Sequence, residues 1–215
     1  MKAVQIKWFY LVVLALIWGS SFILIKKGLL ALTPIQLGSL RIIFSAIFLL
    51  IVGFKSLPSI PMYKWKFIAL TAFIGTFFPV FLFSFAQTEV SSSVSSILNS
   101  LTPLSTLILG GIFFGVTFKR TQIIGVVIGL CGTLLLIVNG AVNQPNQNYF
   151  YTILVIIASI CYAANVNFIK KYLSDIKPLA ITTGNFSVLL IPACIVLYFS
   201  NYQTIVDKVE VQNAT

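Results

Sequence analysis

A guanidinium carried into an apolar segment is the strongest chemical signal in this sequence. Arg41 follows an apolar run that begins near Ile35, and six residues at about 1.5 Å each place it about 9 Å along a helix. Such a group costs at least about 2.5 kcal/mol inside a membrane, so it faces a cavity or a partner. Its planar fork fits a carboxylate, which makes an acidic group on a substrate one reading. The other is structural: snorkelling to the headgroups, or an ion pair with Glu89. Trp18, Ser20 and Ser21 lie near the middle of the first apolar run, and Tyr162, Asn165 and Asn167 near the middle of a later one. Polar side chains beside aromatic faces at that depth suit a small amphipathic solute. They also suit hydrogen bonds between helices, worth about 0.6 kcal/mol each. Asn165 and Asn167 are two positions apart, so at most one of them faces a common cavity.

The polar stretch from Gln87 to Pro103, QTEVSSSVSSILNSLTP, supplies two more candidates, Gln87 and Asn99. Ser92, Ser96 and Ser100 recur every helical turn as a stripe of small side chains, fit for close helix packing or for lining a watery path. Pro103 frees the carbonyl of Asn99, giving a kink or a ligand oxygen. Gly125 and Gly129 form a GxxxG pair, for which helix packing is the default reading. Glu89 is the only acid before Asp175 and sits at a helix end, so proton coupling has weak support and facilitated exchange stays open.

The elements that hold these residues follow from composition. Hydrophobic residues make up 59% of the 215-residue chain and charged residues 8%, against about 25% in soluble domains. Too few charges remain to solvate a globule, so the solvent is lipid. With no His and four acids, catalytic and metal-binding constellations lack parts; no enzyme activity, catalytic residue, metal or cofactor is expected. The net charge of +10 does not mark a nucleic-acid binder, because the basic residues lie between apolar runs without interleaved aromatics. Cys131, Cys161 and Cys194 each sit in an apolar run without CxxC spacing and read as small core residues.

At about 20 residues per span the chain divides into seven apolar segments: Trp8–Leu30, Ile35–Phe54, Trp65–Ala86, Val90–Phe114, Thr121–Asn139, Asn148–Lys171 and Pro178–Ser200. Strict alternation is absent, so these are helices and not barrel strands. The fold class is therefore an all-α polytopic membrane protein. Asn139 to Asn148, NGAVNQPNQN, is the polar divide. Lys and Arg concentrate on the loops that share a side with the N-terminus, which places that terminus in the cytoplasm of a cell inner membrane.

The second half repeats the first. Ile25, Lys26, Lys27, Leu29 and Pro34 return in one register as Ile169, Lys170, Lys171, Leu173 and Pro178, and Ile47 and Ile51 as Ile191 and Ile195. Such self-similarity marks a transporter built from internal repeats. Five helices separate equivalent points, so the second copy enters the membrane inverted, with Lys26-Lys27 and Lys170-Lys171 on opposite faces. Residues 1–140 form the first repeat and 141–215 an incomplete second one, since Thr215 corresponds to Thr71. The chain then reads as a fragment, or as a short protein completed by a partner, a homodimer included.

These residues also carry a family resemblance. WGSSFILIKK in the first helix, Arg41 after Pro34, SVSSILNSLTPLSTLILGG, and the basic turn before QIIGVVIGLCGTLLLI resemble the EamA-type drug/metabolite transporter superfamily. The resemblance implies ten helices in two inverted five-helix repeats, seven of them present here, and the export or exchange of small metabolites, amino acids among them. One position departs from the pattern: Gly115 is followed by Val116 where the family often has Glu, so that residue's role is not carried over. The expected function is movement of small organic metabolites by alternating access, with the metabolite and the bilayer as partners. The competing readings are a non-transporting membrane subunit or inactive fragment, and a membrane enzyme.

Overall fold

The computed structural model describes residues 3–143 and 148–201. Every regular element among them is helical. The first span is α1 (Ala3–Gly28) and the second α2 (Pro34–Gly53). The third is split into α3 (Trp65–Ala72) and α4 (Phe78–Glu89) by a π-helical turn over Phe73–Phe77. The fourth is split into α5 (Ser92–Asn99) and α6 (Thr102–Phe114). Then come α7 (Arg120–Asn143), α8 (Thr152–Tyr172) and α9 (Pro178–Tyr198). Six of these spans are long and apolar enough to cross a membrane, and Arg120–Gly132 is a shorter apolar helix. Part of the expected polar divide is helical, because α7 runs to Asn143, and residues 144–147 lie outside the described residues. So does the tail from 202 onward.

Local chemistry explains the boundaries. Thr33 caps α2 reciprocally with Gln36: the Gln36 backbone N–H donates to Thr33 Oγ1 at 3.4 Å, and the Thr33 N–H donates to Gln36 Oε1 at 2.9 Å. Pro34 follows in the first turn, where its missing N–H costs nothing. The fourth span breaks where Pro103 enters the first turn of α6, and the Ser100 and Leu101 N–H groups fall back on the carbonyls of Ile97 and Leu98. Gly115 ends α6 with φ +62°, the left-handed cap that glycine adopts without strain.

Packing sets the sense of each helix. At one end of α2 the Gln36 amide donates to the Ser200 carbonyl oxygen at 2.8 Å, and at the other Gly53 lies against Thr183. So α2 and α9 run antiparallel along their whole length. The rings of Phe67 and Tyr172, and of Phe83 and Tyr162, stack between the third span and α8, which also run antiparallel. Lys26, bonded to the Gln87 carbonyl oxygen, stands at one end of the bundle. Lys171, over Phe114 and Tyr172, stands at the other. The helices expected to be equivalent thus point in opposite directions.

Three apolar clusters hold the interior: Phe83, Ala86, Val94 and Val155 between α4, α5 and α8; Ile60, Ile68, Leu173 and Ile181 at the lysine-rich end; and Ile42, Ala72, Leu189 and Ala193 between α2, α3 and α9. The outer surface is apolar, as a lipid-facing surface must be. Two sequence readings change here. Cys131 and Cys194 are exposed and not core residues, since a helix in lipid carries apolar side chains on every face. A Cβ placed on Gly125 or Gly129 meets nothing within 4 Å, so among the described residues this GxxxG pair does not form the close helix contact expected of it.

Lys64 and Asp175 form the one ion pair among the described residues, joining the entry of α3 to the loop between α8 and α9. The hydrogen bond from Lys64 holds the Asp175 carboxyl below its usual range. A depressed carboxylate stabilises the fold at full strength above its unfolded pKa of about 3.9, and the contribution fades as pH falls through the folded value. Thermal unfolding of the wild type and of Asp175→Asn from pH 7 to pH 3 should show a gap that is constant down to about pH 4 and closes below it.

Candidate functional site

The interior where α2, α4, α5 and α8 meet carries polar atoms that the fold itself does not satisfy. Arg41 extends from α2 into electrostatic range of Tyr162 on α8. Its Nη1 is buried without a hydrogen-bond partner, and no ion pair joins it to Glu89, which is exposed. Tyr162 is fixed by Phe83, with ring centroids 5.9 Å apart, and Phe83 in turn meets Phe22 of α1 edge-on at 5.6 Å. Gln87 near the end of α4 is fully buried. Its main-chain carbonyl accepts from Lys26 Nζ at 2.6 Å and its Oε1 accepts from Ser92 at 3.4 Å, while its Nε2 has no partner. Ser95 on α5 and Ser159 on α8 are buried with unpartnered hydroxyls. Native interiors rarely leave such groups unpaired, and each one costs about 1–3 kcal/mol unless something satisfies it.

The two asparagines of α8 separate as helical geometry requires. Asn167 turns to α6: its Nδ2 donates to the carbonyls of Thr106 and Ala163, both at 3.0 Å. It is a helix–helix fastener. Asn165 turns to the third span, where its side chain rests on Gly75 in the π turn and its Oδ1 is buried and unpartnered. A π turn inserts one residue into a helix and often marks a functional position.

The remaining candidates stand apart. Trp18 is 66% exposed on α1, and Ser20 is exposed beside it. Ser20 and Ser21 donate to their own helix, to the carbonyls of Ile17 and Trp18 at 3.0 and 2.7 Å. Asn99 accepts from Thr102 at 3.3 Å at the α5–α6 break. Along the serine stripe, Ser92 reaches the Phe22 carbonyl of α1 at 3.0 Å, but Ser96 bonds within its own helix. Of the sequence candidates, Arg41 and Tyr162 lie within electrostatic range of each other, and Gln87 and Asn165 each have, like Arg41, a buried polar atom without a partner; Trp18, Ser20, Ser21, Asn99 and Asn167 do neither. Sequence reasoning met Ser95 only as one of many serines in the polar stretch from Gln87 to Pro103 and passed over Ser159 and Gly75, since residues this small give no chemical signal of their own.

Asn185, the repeat equivalent of Arg41, does different work. With its amide nitrogen turned toward α3 it donates to the Ile68 carbonyl and Thr71 Oγ1, each at 3.0 Å. The two halves thus offer unlike groups at matching positions. Two surface grooves flank the bundle. One of about 520 Å³ lies between α2 and α9 and is lined by Phe44, Ser45, Phe48, Leu49 and Phe186. The other, of about 230 Å³, lies between α6 and α7. Both are apolar and neither holds a candidate residue. Among the described residues no group of three or more potential metal ligands comes together.

Comparison with known proteins agrees with this architecture. The chain is 29% identical over 186 residues to an uncharacterized transporter of Archaeoglobus fulgidus, covering 83% of this chain and 62% of that one. It is 27% identical over 166 residues to a protein of Salmonella typhimurium named as a probable amino-acid metabolite efflux pump, covering 76% and 53%. A protein of Escherichia coli with the same name is 27% identical over 161 residues, covering 74% and 51%. The chain thus spans between about half and three-fifths of the length of these relatives. No solved structure matches it. The EamA-like transporter family matches residues 5–138, more than half of the sequence, and the chain belongs to that family of membrane transporters.

Proposed function

We propose that this chain supplies the first repeat, and the start of an inverted second repeat, of a ten-helix carrier that moves small organic metabolites, amino acids among them, across the cytoplasmic membrane. The repeat boundary falls near residue 140, and the N-terminus lies in the cytoplasm. Arg41, Gln87, Tyr162 and Asn165 form the solute-facing set. The observation that carries this reading is the group of unsatisfied polar atoms on four packed helices, Arg41 Nη1 foremost. A guanidinium buried without an acid partner asks for a transient anion, and a carboxylate matches its two-toothed geometry. The relatives named as probable amino-acid metabolite efflux pumps support the same substrate class. Access alternates between the two membrane faces by rocking of the oppositely directed helices.

Reconstituted vesicles test this directly. The protein should exchange a radiolabelled amino acid preloaded in the lumen for one outside, faster than vesicles without protein. If a panel of acidic, neutral and basic amino acids and related carboxylates all stay put, the carrier reading fails and a non-transporting subunit takes its place.

A further inference from the structure

The Lys64–Asp175 pair sits over an aromatic plug. Just inside it, Phe67 and Tyr172 stack with centroids 4.4 Å apart and planes 7° from parallel. Phe168 lies 5.9 Å from Tyr172, and Phe114 meets Phe168 edge-on at 5.2 Å. Ile60, Ile68, Leu173 and Ile176 seal the space around the pair. Each contact of the stack that involves α8 joins it to a helix of the first half or to α8's own next turn, so this end of the bundle is held together by contacts between the chain's two halves.

The ions are unequally placed. Lys64 is buried, at 8% exposure, whereas the Asp175 side chain is 62% exposed. Removing the partner of a buried ammonium is costly, but an exposed carboxylate that swings away rehydrates at once. The pair also stands in a cationic field. Lys66, Lys170, Lys171 and Lys177 share this end, and Asp175 is the only acid there among the described residues, since Glu89 lies at the opposite end. Both partners lie on connections between spans and not within a helix: Lys64 closes the short turn Met62–Lys64 that leads into α3, and Asp175 precedes α9.

We infer that Lys64 and Asp175 form a latch that holds the lysine-rich end of the carrier shut, and that must part for the interior to open toward that side. The inference rests on the alternating-access reading above. Without Asp175 the lysines repel and Lys64 gains by reaching water, so the balance shifts toward the state open at this end.

Accessibility tests the latch without requiring a known solute. Ser159→Cys, in a chain with Cys131, Cys161 and Cys194 replaced by alanine, places a single thiol in the buried interior. A membrane-impermeant methanethiosulfonate is applied to sealed vesicles of each orientation. Asp175→Asn should raise labelling from the latch side about tenfold and lower it from the other side. The exchanged pair, Lys64→Asp with Asp175→Lys, should return both rates toward the starting values. Equal acceleration from both sides would mean simple loosening, and unchanged rates would mean the contact does not gate access; either overturns the latch. Failure of the carrier reading shows separately, as absent exchange in the vesicle assay.

Discussion

Arg41→Gln is expected to lower exchange of carboxylate-bearing solutes at least about 100-fold while leaving the amount of protein in the membrane unchanged. The asymmetry follows from what surrounds the guanidinium. Its Nη1 has no partner in the fold and no acid neutralises it, so glutamine removes a desolvated charge and takes away no structural bond. The bound solute loses much more. A charge-assisted bond is worth about 1.5–3 kcal/mol, and a two-toothed pair in a dry interior lies at the upper end. At about 1.4 kcal/mol per tenfold this gives the stated factor. Arg41→Lys keeps the charge but loses the planar fork, and should recover only part of the rate. Membrane content by immunoblot and exchange of labelled solute, measured on the same vesicles, decide the matter. Parallel loss of protein and exchange would make Arg41 a structural residue.

Gly75→Val should lower stability by about 2–3 kcal/mol, seen as earlier thermal unfolding in detergent, and Asn165→Ala should recover most of that loss. The site is closed: even a methyl on Gly75 would fall on the side-chain amide of Asn165. Overpacking of this kind costs about 1–3 kcal/mol. Gly75→Ala is a poorer test, because alanine gains about 1 kcal/mol in helix preference and partly masks the clash. Trimming Asn165 opens the space that valine needs, so the double mutant should be more stable than the sum of the single effects. Additive losses would mean that Gly75 and Asn165 do not share a contact.

The apolar runs were legible because the bilayer fixes their length, and each described helix boundary lies within a few residues of the sequence reading apart from the start of α1, the end of α7 and the start of α8. The inverted sense of α9 was legible as well, from the odd number of helices between the two Lys-Lys pairs. The π turn over Phe73–Phe77 was not. FIGTF contains no proline, and its contact with Asn165 is a tertiary one that no local pattern announces. The break before α6 could be read, because Pro103 announces it. Periodicity separated Asn165 from Asn167 but could not say which one faces inward. Nothing in the first apolar run distinguishes its faces, so the exposure of Trp18 was beyond reach. Ser159 escaped, and Ser95 was not singled out, for the reason already visible at Gly75: a small residue matters through its neighbours, which only packing reveals.

The crossing of α2 and α9 carries a mechanical corollary. Gln36 grips Ser200 at one tip, Gly53 abuts Thr183 at the other, and Ala46, fully buried between them, keeps the middle slim. Two rods in contact in this way rock on the middle contact as on a rivet: spreading one tip presses the other closer. A bulky side chain at position 46 would act as a wedge at the rivet, prying both tips apart together and uncoupling the two mouths of the protein.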